Sequence, residues 1–216
     1  MFGSILRRVF GRPIDGRLSF AGRLIAIKNP TTTADAIRVS DSLTPSSASE
    51  VLVSGAIRGS IAGKPRRNEE GASDCCQVLA ERMRQHGIQV VRVQRPPGPE
   101  SGVDCTLHCP GGTRQVQVTR AAGFALWREL AQSGQANVDT EPCSLSNALL
   151  QTTKDKARGM VVTGVTLALD ATDTPWLSMP PVADAARRMA GDFASLGFAE
   201  VWLVGPTPDF VWRLDR

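Results

Sequence analysis

Long hydrophobic runs are missing from this sequence: no window of its 216 residues approaches the ~20 consecutive apolar residues that a membrane-spanning helix needs. The opening Met1-Phe2-Gly3-Ser4-Ile5-Leu6-Arg7-Arg8 lacks the long apolar core of a secretory signal, so a cytoplasmic location is expected. Cysteine is sparse and irregular, at positions 75, 76, 105, 109 and 143. That set is too small and uneven for a secreted disulfide framework, its odd count leaves at least one thiol unpaired, and it predicts reduced thiols. A Gly-rich phosphate loop, a Ser/His/Asp order, a paired-acid glycosidase signature and an internal repeat are all lacking. Aromatic residues make up only 5%, and all four Trp (127, 176, 202, 212) lie beyond residue 126, so the material for a packed core is concentrated late.

What is present suits one or at most two globular domains: 42% apolar, 21% charged, 20 Gly and 14 Pro. Collagen, coiled coil and wholesale disorder are excluded. The charge is uneven, with a net of +7 over residues 1–68 and −3 over residues 69–216. Residues 1–67 hold only short apolar patches such as Leu24-Ile25-Ala26-Ile27 and Val51-Leu52-Val53, between runs like Thr31-Thr32-Thr33 and Ser46-Ser47-Ala48-Ser49. With no aromatic after Phe20, this stretch buries little against its ordering entropy. It reads as a basic, poorly ordered N-terminal arm, with a few weak strands as the alternative. Arg7, Arg8, Arg12, Arg17, Arg23 and the cluster Lys64-Pro65-Arg66-Arg67 suit salt-sensitive contact with nucleic-acid phosphates, although basic arms also serve solubility without a partner.

Order is expected from residue 68 to 216. Asn68 can cap a helix with Glu69 and Glu70 in its first turn, and Ala72, Cys75 or Cys76, Leu79 and Met83 recur at helical spacing before Gly87 ends it. A strand over 88–93 and a Pro/Gly-rich loop over 95–102 follow. Two alternating runs, 103–108 and 114–119, flank Cys109-Pro110-Gly111-Gly112 and read as a β-hairpin. Helices are expected near 123–132 and 145–158, a buried strand at 166–169, an amphipathic helix through Val182, Ala186, Met189, Phe193 and Leu196, and strands at 200–204 and 210–214. The order predicts an α/β domain with a mixed central sheet flanked by helices.

The hairpin carries the chemistry. Side chains alternate along a strand, so an even-length turn puts Asp104 on the same face as Gln115, Gln117 and Thr119, opposite Val103, Cys105, Leu107, Val116 and Val118. A carboxylate beside carboxamides offers oxygen donors suited to a hard cation such as Mg²⁺. The same alternation also marks any half-exposed antiparallel pair. A zinc site assembled from Cys105, His108 and Cys109 together with Cys75, Cys76 and Cys143 is disfavoured, because the spacing is not C-x-x-C and Cys75 and Cys105 fall on apolar stripes.

From Asn68 to Thr119 the sequence resembles the front half of the PD-(D/E)-x-K nuclease superfamily, the restriction-endonuclease-like fold, and the element order extends the likeness to about residue 215. That family places an acid on the first helix, an Asp at the start of a strand after a Gly-containing loop, and then an apolar-flanked Glu or Gln with a Lys two residues on. Here Glu70 takes the helix position, Gly102-Val103-Asp104 the Asp position, and Val116-Gln117-Val118-Thr119 the acid-x-Lys position, with Gln for the second acid and Thr119 for Lys. In some members the Lys has moved to the next helix. Lys154 and Lys156 are candidates, and Lys156 is preferred because it continues the stripe Leu145, Leu149, Thr152.

The resemblance implies a Mg²⁺-dependent DNA nuclease. Asp104 and Gln117 would hold the metal with help from Glu70, and Lys156 would stabilise charge on the phosphate. The alternative it implies is a binding module for nucleic acid or protein that kept the fold and lost the chemistry. Many nucleases of this fold act as homodimers, although no segment here identifies an interface. Against these roles, Glu69 and Glu70 also suit an ordinary first turn, the two lysines a solvated helix face, and the tryptophans a core.

Overall fold

In the computed structural model, residues 46–64, 66–95 and 102–216 are described in full, and 17–20, 23–27 and 34–40 as backbone strands. Arg7, Arg8, Arg12, Pro65 and most of the 95–102 loop lie outside the described residues. No helix among the described residues is long and apolar enough to cross a membrane.

The chain forms a mixed α/β architecture with two six-stranded sheets. The first is antiparallel: β1 (Arg17–Phe20), β2 (Arg23–Ile27), β3 (Ala34–Ser40), β4 (Ser46–Leu52), β5 (Ile57–Ala62) and, from much later in the chain, β9 (Gln135–Thr140). Ile57 and Ile61, in the stretch that sequence reads as an arm or as a few weak strands, are fully buried. They are apolar at alternate positions, and β5 lays that face on the core while Arg58 points outward to Glu50 and Asp139. Gly59 in the same strand leaves room for an indole: a Cβ there would sit 2.6 Å from Trp176 Cγ.

The second sheet is mixed and central, in the order β12 (Val211–Arg213), β11 (Glu200–Val204), β10 (Val165–Asp170), β8 (Gly112–Arg120), β7 (Cys105–Cys109) and β6 (Arg92–Gln94). β10 runs parallel to both β8 and β11, and every residue of it is buried, as a strand covered on both faces requires. Ala168, Trp202 and Val204 face one side, where α1 (Asn68–Gln85) packs through Cys75, Leu79 and Met83. Leu167, Leu169, Val201 and Leu203 face the other. That side is covered by α2 (Phe124–Ser133), α3 (Pro142–Arg158), α4 (Pro180–Arg187), α5 (Ala190–Ala194) and the antiparallel sheet. This mixed sheet between helix layers is compatible with a nuclease-like fold.

Local chemistry explains the boundaries, and in four places departs from expectation. Asn68 does not cap α1: Arg67 occupies that position without a side-chain cap, and its carbonyl accepts the Gly71 N–H at 3.1 Å. The other end closes on Gly87 at φ +79°, with Ile88 N–H donating to Met83 O at 2.9 Å and Gly87 N–H to Arg84 O at 3.0 Å. The long amphipathic helix expected over 182–196 is broken at Arg188-Met189 into α4 and α5. The strand expected over 88–93 is cut to Arg92–Gln94. Reduced thiols are expected, but Cys76 and Cys105 join in a disulfide, Cα atoms 6.8 Å apart, that ties α1 to β7.

Candidate functional site

Because β8 and β10 are parallel, their carboxyl ends open on the same side, and a cleft of about 800 Å³ lies there. Asp104, just before β7, reaches this end because β7 runs antiparallel to β8. The hairpin turn is the two-residue Pro110-Gly111, with Cys109 paired to Gly112 and Cys105 to Val116. That even register puts Asp104 and Gln117 on one face.

The two side chains are in direct contact, Gln117 Nε2 donating to Asp104 Oδ2. The same oxygen accepts the Val118 N–H at 2.7 Å. Asp104 Oδ1 takes no hydrogen bond among the described residues. Lys156 lines the same cleft from α3, and its ammonium makes no hydrogen bond or ion pair among the described residues. Leu145 and Leu149 bury the rest of that stripe, while Thr152 reaches the cleft. Lys154 does not line it. Glu70 is exposed and also stands away from the lining; Asn68, half a turn earlier, contributes from α1 instead.

Several lining residues lie outside the motif, among them Arg120, Phe124, Asp155 and Asp170. Arg120, one residue past Thr119, stacks its guanidinium 4.3 Å from the Trp127 ring centroid and donates to the Arg66 carbonyl. Phe124 stands at the start of α2. Asp170 ends the buried run that starts at Val165, and an acid after a mostly apolar strand, at the carboxyl end where ligands gather, was the signal available for it.

Asp170 is buried, and desolvation pushes its carboxyl up to about 6, against the Thr172 hydroxyl and N–H, which donate to Oδ1 at 2.6 and 2.9 Å. The folded chain therefore holds this proton more tightly than the unfolded one. The stability it contributes is complete at low pH and is lost as pH rises from the ordinary 3.8 through about 6. Over that window the melting temperature of the parent is expected to fall relative to that of Asp170→Asn. A difference that stays flat with pH would sink the assignment.

Arg66, in the cluster read as a candidate phosphate contact, is committed elsewhere. Its side chain is 5% exposed and donates to Asp173, Asp74 and Thr172 at 2.8, 2.6 and 2.6 Å.

No family model matches the chain, and no curated protein does. Among solved structures, SfsA of Pyrococcus furiosus in complex with Ca²⁺ is similar over 92% of this chain and 95% of that chain, with 9% identity and a TM-score of 0.28.

Proposed function

We propose that this chain is a divergent Mg²⁺-dependent nuclease of the PD-(D/E)-x-K type that hydrolyses phosphodiester bonds of DNA. The observation that carries the reading is that an Asp104 carboxylate, a Gln117 carboxamide and a Lys156 ammonium, unpaired among the described residues, line one cleft. The donor set fits Mg²⁺, a hard cation that keeps several waters and takes one or two carboxylates plus substrate phosphate. Asp104 Oδ1 has no competing donor among the described residues, and Gln117 adds a carboxamide. Asp104 and Gln117 would hold the ion, which when bound lowers the pKa of a water at the phosphorus.

The chain's own residues do the rest. Lys156, which has no carboxylate partner among the described residues, would offer its charge to the phosphoryl oxygens as negative charge develops on them. Arg120, held over Trp127, adds a second cation to the same cleft. Asn68 supplies a neutral polar group where the resemblance implies an acid.

A second reading, a nuclease-derived binding module without chemistry, is favoured by one specific feature. Gln117 presents its Nε2 to Asp104, and together with the Val118 N–H this satisfies Asp104 Oδ2 as the end of a strand ladder, without a metal. The test is cleavage of supercoiled, linear and branched DNA by the purified full chain with Mg²⁺ or Mn²⁺, at low and moderate salt. Cleavage that EDTA stops is expected. Absence of cleavage together with salt-sensitive binding would establish the module instead.

A further inference from the structure

Phe124 is 72% exposed on the wall of the cleft that holds Asp104 and Gln117. Packing does not explain it. The core-facing residues of α2 are Trp127 and Leu130, and the start of the helix is anchored by Trp127, whose Nε1 donates to the Ala122 carbonyl at 3.1 Å. One turn after Phe124, Arg128 brings its guanidinium to 4.7 Å from the phenyl centroid. A large apolar ring is thus exposed at the mouth of the cleft, with the Arg128 guanidinium over one of its faces.

The chemistry that matches a planar apolar surface with an adjacent guanidinium is a nucleobase followed by its backbone phosphate: the base stacks on the ring and the phosphate meets the cation. Inside a continuous duplex both faces of each base are already stacked on neighbours. The ring can therefore be used only by a base with an open face, in a single strand, a flap or a frayed end.

We propose that Phe124 and Arg128 form a stacking platform for an unpaired base beside the cleft, making single-stranded DNA or a single-stranded flank the preferred substrate over continuous duplex. That this base flanks a scissile phosphate rests on the nuclease reading above; the platform is a binding element in its own right.

The experiment measures anisotropy of a labelled single-stranded oligonucleotide and of the blunt duplex of the same sequence, in EDTA, with the full chain, Phe124→Ala and Phe124→Trp. Because Phe124 is exposed, neither change disturbs the core, and melting curves check this. The parent should bind the single strand more tightly than the duplex. Phe124→Ala should weaken single-strand binding by about tenfold or more with little effect on the duplex, and Phe124→Trp should restore it. Equal losses on both probes, no loss on the single strand, or a Trp variant no better than Ala would overturn the proposal. An intact single-strand affinity in Phe124→Ala alongside metal-dependent cleavage removes the platform and leaves the nuclease. A selective loss in a parent that cleaves nothing does the reverse.

Discussion

Asp104→Asn is expected to remove Mg²⁺-dependent DNA cleavage by about 10³-fold or more, while the melting temperature stays within about 2 °C of the parent. The substitution conserves shape. An Asn oxygen in the place of Asp104 Oδ2 can still accept both the Val118 N–H, at 2.7 Å in the parent, and the Gln117 Nε2–H. What is lost is a unit of negative charge on the proposed metal. A loss of several kcal/mol of transition-state stabilisation at ~1.4 kcal/mol per decade gives the thousandfold figure. A variant that still cleaves would move the chemistry away from Asp104. A variant that melts far below the parent would give Asp104 the structural role of closing a strand end, which is the geometry the second reading uses.

The shared face of Asp104 and Gln117 was legible because it follows from two local rules: period-2 alternation and a two-residue turn at Pro110-Gly111. α1 was legible through the helical recurrence of Leu79 and Met83, and β11 through the apolar run 201–204, buried in the fold. The illegible parts are those whose reason lies far away in sequence. β9 spells Gln-Ala-Asn-Val-Asp-Thr, rich in Asn and Asp that strands disfavour, and it exists because β5 offers it an edge, pairing Ile57 with Thr140 and Ile61 with Ala136. Lining by Asn68 instead of Glu70 goes with a helix that starts one residue earlier than its capping pattern implies, with Arg67 and not Asn68 at the cap. The place of Asp170 in the cleft depends on β10 lying parallel to β8, which no local pattern states.

Arg66→Ala is expected to cost about 3–5 kcal/mol of stability, because it strips the partner from a buried charge. The guanidinium holds Asp173 through two nitrogens at 2.8 Å, Asp74 at 2.6 Å and Thr172 Oγ1 at 2.6 Å, and Asp173 is itself only 10% exposed. Thr172 in turn donates to Asp170, so one side chain links the segment entering α1 to the loop leaving β10. These are the two segments that bring Asn68 and Asp170 to the cleft. At ~2–4 °C per kcal/mol for a chain of this size, the melting temperature should drop by about 6 °C or more. Arg66→Met combined with Asp173→Asn should recover part of the loss, since it removes both charges and leaves neither stranded, and the cycle of singles and double isolates the coupling. If Arg66→Ala instead leaves the melting curve unchanged and weakens DNA binding in a salt-dependent way, the arginine belongs to the phosphate-contacting cluster that the sequence suggests. Burial decides between the two: a side chain 5% exposed, with four of its five N–H donors on Asp173, Asp74 and Thr172, is not presented to a phosphate.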